Sequence, residues 1–133
     1  MVLVDTSVLI DYLRGTQNSQ VRIFQSILDS SLPFGLSSIV YQEILQGAKT
    51  ELDFDLLKRY LDTQKIYYLR DNRESYAMAA KIYRGLRSKG MTCGTIDCLI
   101  AQCAIENDLF LLHNDEDFER IRKVSDLKIF VNL

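Results

Sequence analysis

The sequence predicts an α/β fold, a three-layer α/β/α sandwich around a central parallel sheet of about five strands. Short apolar segments alternate along the chain with longer segments of helical period, which is the pattern of strands joined by helical crossovers. The apolar segments are continuous rather than alternating, as in strands covered on both faces. The 133 residues, of which 47% are hydrophobic, suit a single globular domain over residues 1–133.

Five apolar segments are the predicted strands. They occupy residues 2–4, 34–36, 66–69, 109–112 and 128–131. Strands that alternate with helices in this order are expected to run parallel, because each helix returns the chain to the start of the next strand.

The segments between the strands are predicted to be helical. Three helices are expected over residues 19–30, 72–89 and 95–106. Two more are expected to begin after Asp5 and after Thr50, and another to begin near Ser37 or Ser38 and end near Gly47. A short helix is expected to begin at Asn114. Ser37 or Ser38, Thr50 and Thr95 are suitable residues to cap the helices that follow them.

The composition excludes several classes of protein. The first ten residues lack a basic leader and a cleavage site, and no apolar stretch reaches the roughly 18 residues of a membrane helix. Three cysteines, spaced by five residues, match neither a disulfide framework nor a zinc ribbon. We therefore expect a soluble cytoplasmic protein with reduced thiols and no membrane association.

The net charge of −2 does not favour nucleic-acid binding, which usually requires an excess of Lys and Arg. The average conceals a local asymmetry, because residues 70–90 contain six basic and two acidic side chains. That stretch predicts a positive face, although the sequence assigns no individual RNA-binding residue.

Two carboxylates follow predicted strands. Asp5 comes directly after the first strand, and Asp115 lies just beyond the strand at residues 109–112. Ligands of an open parallel sheet bind beyond the carboxyl ends of the strands, so these two acids are expected at the same edge.

Two further acids lie on otherwise apolar helix faces. Asp97 shares a face with Ile100, Ala101 and Ala104, and Glu43 is placed similarly on its own helix. Burying an unpaired carboxylate costs several kcal/mol, so such an acid normally has a partner or a metal ion.

Convergence of these four acids would require a cation. Two carboxylates about 4 Å apart repel by roughly 4 kcal/mol at an effective dielectric constant near 20. Oxygen ligands favour Mg²⁺ or Mn²⁺, and the single histidine offers little to zinc. A divalent ion in such a site can promote phosphodiester hydrolysis, which is the hypothesis that the residues support.

Four segments resemble the PIN-domain nucleases, in particular the VapC-type toxins of toxin–antitoxin pairs. They are VDTSVLIDYL, SSIVYQEILQG, TIDCLIAQCA and HNDEDFERI, in the order and spacing of the family over nearly the whole chain. The resemblance implies that Asp5, Glu43, Asp97 and Asp115 bind one or two Mg²⁺ or Mn²⁺ ions and cleave RNA. It also implies a homodimer and a small antitoxin partner, in a heterotetramer or larger assembly. His113 stands where the family often has Thr, and Cys98 where it often has Ala.

Structural roles compete with several of these assignments. Asp5 is also suited to cap a helix, although Thr6 or Ser7 is equally suited. Buried hydrogen bonds alone would also satisfy Asp97 and Glu43. The acids at 115–117 would complement a helix dipole behind an Asn114 cap. Thr6 and Ser7 are candidates to orient Asp5 or a metal-bound water, and Asp117 is assigned a supporting role of the same kind.

Other functions remain open from the sequence. Two alternatives are a catalytically idle module of the same fold that acts by protein–protein binding and a housekeeping RNA-processing nuclease. An aspartyl phosphatase is disfavoured because Ser7 occupies the place of the second aspartate, and the acidic pair of a response receiver is not found.

Overall fold

The computed structural model describes residues 1–132. Its strands are β1 (Val2–Val4), β2 (Phe34–Ser37), β3 (Ile66–Tyr67), β4 (Phe110–Leu112) and β5 (Lys128–Ile129). Within the described residues they form one sheet in the order β3-β2-β1-β4-β5, and every neighbouring pair is parallel. The predicted α/β fold with a parallel five-stranded sheet is confirmed.

Seven helices connect the strands within residues 1–132. They are α1 (Thr6–Leu13), α2 (Ser19–Ser30), α3 (Ser38–Gln46), α4 (Glu51–Leu61), α5 (Glu74–Ser88), α6 (Thr95–Glu106) and α7 (Glu116–Ile121). Val2, Leu3 and Val4 are all at most 1% exposed. Because successive side chains of a strand point to opposite faces, both faces of β1 must be covered by helices.

The two edge strands are shorter than the sequence suggests. β3 ends at Tyr67 and β5 at Ile129, whereas the apolar segments continue to Leu69 and Val131. Each edge strand pairs with only one neighbour, and Tyr68 and Val131 are exposed. An apolar segment therefore overstates the length of a strand that has a partner on one side only.

The helix caps agree with the prediction in two cases and differ in two. Ser37 accepts a hydrogen bond from the amide of Val40, and Thr50 accepts one from the amide of Asp53. The predicted caps Thr95 and Asn114 are wrong, since α6 begins after Gly94 and α7 after Asp115. Asp115 takes the cap position because its carboxylate accepts the amide hydrogen of Asp117.

The apolar residues of α4 are divided between core and surface. Leu61 is fully buried, whereas Leu52 is 67% exposed and Leu56 50% exposed. Phe54 on the same helix is also exposed. The helical period therefore predicts the helix correctly but does not distinguish core packing from an uncovered apolar surface. No helix among residues 1–132 is long and apolar enough to cross a membrane.

Candidate metal centre

The candidate site lies where β1 and β4 end side by side. Val4 is paired with Leu112, and the amide of Asp5 donates a 2.9 Å hydrogen bond to the carbonyl oxygen of Leu112. The residues that follow the two strands are therefore neighbours in space, as the sequence predicts for the carboxyl edge of a parallel sheet.

Asp5 is buried at this edge, only 4% exposed. One of its carboxylate oxygens, Oδ2, accepts hydrogen bonds from the amide of Ser7 at 3.0 Å and from the Ser7 hydroxyl at 2.6 Å. Burial raises the pKa of Asp5 most, the negative charge of Glu43 adds to the increase, and the bonds from Ser7 oppose it. Asp5 therefore caps α1, which is the structural alternative stated for this residue.

Thr6 and Ser7 each hold a different carboxylate. The hydroxyl of Thr6 donates to Oε1 of Glu43 at 2.8 Å. The hydroxyl of Ser7 donates to Asp5 and accepts a 2.9 Å hydrogen bond from the amide of Asn114. Ser7 thus connects the start of α1 to the loop that leads into α7.

Asp97, Asp115 and Asp117 form a compact group in which one carboxylate oxygen from each residue lies within 4.8 Å of the others. Asp97 comes from the first turn of α6, and the other two come from the start of α7. Asp115 and Asp117 are linked by the 2.9 Å cap hydrogen bond, which fixes the turn that presents them.

The pKa values of two carboxylates in the group are shifted in opposite directions. Burial raises the pKa of Asp97 to about 8, helped by its hydrogen bond with Asp117 and by the charges of Asp115 and Asp5. The pKa of Asp117 is lowered, first by the hydrogen bond from Asp97 and then by Arg120, with which it forms an ion pair. Asp97 is therefore the member of the pair that takes up a proton more readily.

Of the four predicted acids, two lie in the compact group, and the other two lie close to it or next to one another. Asp97 and Asp115 lie in the group within 4.8 Å, and Asp5 is near enough for its charge to raise the pKa of Asp97. Glu43 lies outside that group and adjoins Asp5, whose pKa it raises. Four acids, from the end of β1, from α3, from α6 and from the start of α7, thus lie in one continuous cluster.

Asp117 is the acid whose position the sequence analysis did not anticipate. It was assigned a supporting role, yet its carboxylate lies within the group and contacts Asp97. The available signal was the pair of acids two residues apart at a helix start, because the cap hydrogen bond folds such a pair into one turn. That signal is weak, since acids are common in first turns.

These residues fit a divalent cation with oxygen ligands. The donors are carboxylates that lie close together, and a cation would relieve their mutual repulsion. The pKa of Asp97 is raised first by burial and then by these neighbours, so this carboxylate is costly to ionise without a cation. Oxygen donors of this kind are the ligands of Mg²⁺ and Mn²⁺.

Cys93 and Cys98 lie near this centre, and the charges of Asp97 and Asp117 add to the increase that burial causes in the pKa of both thiols. Cys103 is buried and burial raises its pKa to about 11, while the sulfur atoms of Cys93 and Cys98 are 3.2 Å apart. Part of the basic stretch faces a cleft of about 300 Å³ between α5 and α6, with Arg84 and Arg87 beside two tyrosines.

Comparison with known proteins identifies the family. The model of the PIN domain matches residues 2–124, and the chain therefore belongs to the PIN-domain family. Among relatives it is 30% identical to ribonuclease VapC11 of Mycobacterium tuberculosis, over 96% of each chain. It is also 30% identical to ribonuclease VapC1 of Methanocaldococcus jannaschii, over 97% of this chain and 86% of the relative.

Solved structures of similar fold are found at lower identity. VapBC2 of Rickettsia felis bound to a promoter DNA fragment superposes with a TM-score of 0.75 and 20% identity, over 98% of each chain. DNA-bound VapBC of Salmonella typhimurium gives a TM-score of 0.74 and 18% identity, over 97% of this chain and 96% of the other. These likenesses confirm the PIN fold that the sequence predicts.

Proposed function

We propose that this chain is a metal-dependent endoribonuclease and the toxin component of a toxin–antitoxin pair. The observation that carries the proposal is the meeting of Asp5, Asp97, Asp115 and Asp117 at the carboxyl edge of β1 and β4. Membership of the PIN family and the 30% identity to VapC ribonucleases support the reaction class.

We infer that the ion is Mg²⁺ or Mn²⁺, held by Asp97, Asp115 and Asp117 with Asp5 alongside and Glu43 behind Asp5. Such an ion, when bound, supplies Lewis acidity toward a phosphodiester and offsets its charge. Ser7 holds Oδ2 of Asp5, so Oδ1 would be the oxygen of that carboxylate that meets the ion. Thr6 keeps Glu43 beside Asp5 and maintains the negative potential that attracts the ion.

Partners are also proposed from the relatives. Structures of similar fold include toxin–antitoxin complexes, such as one from Klebsiella pneumoniae with a TM-score of 0.66. This chain exposes apolar side chains on α4, including Leu52 and Leu56, and large exposed apolar surfaces usually mark a contact with another protein. We propose that RNA is the substrate and that a small antitoxin is the inhibitor. We also propose that the chain forms a homodimer, that this dimer binds the antitoxin in a heterotetramer or larger complex, and that the protein is located in the cytoplasm.

The test is RNA cleavage by purified protein with Mn²⁺ or Mg²⁺, and with EDTA. We expect Asp5→Asn and Asp97→Asn each to reduce the rate by about 100-fold or more, because charge stabilisation by a metal ion contributes several kcal/mol. Asp29→Asn, an exposed acid on α2, is the matched control and should leave the rate unchanged. Mapping of the RNA ends would then identify the target.

Two results would contradict the proposal. Cleavage that survives EDTA or both substitutions would exclude the acidic centre as the origin of the activity. Absence of metal-dependent cleavage in the parent, together with tight binding to an antitoxin, would instead favour the catalytically idle module.

A further inference from the structure

His113 occupies a buried position between β4 and α7, only 6% exposed. Its Nδ1 atom is 3.1 Å from the amide nitrogen of Asp115, and its Nε2 atom is 2.8 Å from Oε2 of Glu119. A backbone amide can only donate, so Nδ1 accepts and the neutral ring carries its hydrogen on Nε2, which donates to Glu119. Both ring nitrogens are therefore engaged in the same neutral tautomer.

Each contact of the ring is itself held in place. Glu119 forms an ion pair with Arg122 at 3.0 Å, and the imidazole packs on Phe118 with 5.2 Å between ring centroids. The carbonyl oxygen of His113 accepts a 2.6 Å hydrogen bond from the side chain of Gln20 on α2. The imidazole thus spans the first turn of α7 from Asp115 to Glu119 and is fixed on both sides.

The turn that the imidazole spans is the one that presents Asp115 and Asp117 to Asp97. We propose that His113 is a positioning residue of the metal centre, which holds the Asp115 amide through Nδ1 and so preorganises the carboxylates of Asp115 and Asp117. The inference deepens the proposed function and rests on it. Hydrogen bonds that orient metal ligands typically change metal affinity or activity by about 10–100-fold when removed.

The two contacts of the ring can be separated by substitution. The side-chain oxygen of Asn can accept a hydrogen bond from the amide two residues along the chain, as Nδ1 does here, but Asn is too short to reach Glu119. Gln can reach Glu119 with its amide but has no acceptor near the Nδ1 position. His113→Asn and His113→Gln therefore test which nitrogen matters, and His113→Leu removes both contacts.

The measurement is calorimetric titration of each variant with Mn²⁺, alongside RNA cleavage resolved into kcat and KM and urea unfolding. We expect His113→Asn to bind Mn²⁺ within about threefold of the parent, and His113→Gln and His113→Leu to bind about tenfold or more weakly. The loss should lie in kcat and be partly recovered at high Mn²⁺ concentration. Leu127→Ala, a buried change away from the acids, controls for lost stability and should keep the parental affinity.

The outcomes separate this inference from the proposed function. The role of Nδ1 would be overturned if all three variants bound Mn²⁺ as tightly as the parent, or if His113→Asn and His113→Gln lost the same Mn²⁺ affinity. In either case the parent would still bind metal and cleave RNA, so the proposed function would stand. A parent that neither takes up Mn²⁺ nor cleaves RNA would overturn the proposed function itself. Weaker binding by Leu127→Ala to the same extent would assign the effect to general stability and overturn the inference.

Discussion

Asp97 sets the charge balance of the acidic group. Burial raises its pKa to about 8, and the neighbouring carboxylates of Asp117, Asp115 and Asp5 add to the increase. The folded protein without metal therefore retains a proton near neutral pH that an unfolded chain releases near pH 4. This difference links the folding equilibrium to pH.

The sign of that linkage gives the first prediction. Since the pKa of Asp97 is higher in the folded state, this residue reduces the free energy of unfolding as pH rises from about 4 to 8. Asp97→Asn removes the titration, so in EDTA the variant should be more stable than the parent at pH 8 by on the order of 1 kcal/mol. Urea unfolding across this pH range measures the difference, which should vanish near pH 3.

Asp29→Asn serves as the control for loss of a negative charge, because Asp29 is exposed on α2. Its stability should follow the parent at every pH. A parallel pH profile for Asp97→Asn and the parent would mean that Asp97 is not protonated in the folded protein.

At the scale of elements, the helix starts supply the site. Asp5 caps α1 and Asp115 caps α7, and both helices begin where a strand ends. A carboxylate has two oxygens, so one can cap the helix while the other faces a ligand. The helix-capping and metal-binding roles, which compete when only the sequence is considered, are therefore compatible in three dimensions.

The contact between β2 and β3 gives the second prediction. A Cβ atom at Gly35 would lie 2.6 Å from Cε2 of Tyr67 and 2.8 Å from the carbonyl oxygen of Lys65. The carbonyl oxygen belongs to the backbone, so the strands would have to separate. We expect Gly35→Ala to reduce the free energy of unfolding by about 1–3 kcal/mol, measured by urea unfolding.

Gly47→Ala is the matched control for Gly35→Ala. The Cβ atom at Gly47 would find its nearest neighbour at 3.4 Å and the residue has a helical backbone conformation, so a small change is expected. Equal stability of Gly35→Ala and the parent would show that the sheet edge can widen without cost.

At the scale of the whole molecule, aromatic packing joins α1, α2 and β2. The ring of Phe24 is fully buried and meets Tyr12 and Phe34 edge to face, with centroids 5.0 and 5.2 Å apart. A ring of α2 that contacts both α1 and β2 contributes to the cooperative unfolding of all three elements.

The third prediction concerns this ring. Phe24→Ala should reduce the free energy of unfolding by about 3–5 kcal/mol, because it removes a buried ring and leaves a cavity. Thermal and urea unfolding would detect the change. Phe110→Ala, at a ring that is 40% exposed, should cost less, and a smaller loss for Phe24→Ala than for Phe110→Ala would contradict the assigned core.

The fold and most of the acids could be predicted because they depend on local patterns. Burial determines the residue pattern within each segment. It produces the continuous apolar residues of β1, β2 and β4 and the helical period of the apolar residues in α2 and α6. The placement of Asp5 followed from its position after β1, and Asp97 stood out as an acid on an apolar helix face. The edge strands were overestimated because their apolar residues extend past the last pairing partner.

The sequence by itself determined the fold class and the presence of a strongly negative edge, since both follow from the order of apolar segments and acids along the chain. Only the tertiary structure decided that Asp117 joins Asp97, that Thr6 holds Glu43 and that His113 spans the turn from Asp115 to Glu119. The contacts of Asp117 and Thr6 depend on the directions of side chains from separate elements, and that of His113 depends on the angle at which α7 leaves β4. Such directions are set by strand register and helix packing, which no single segment of the chain encodes.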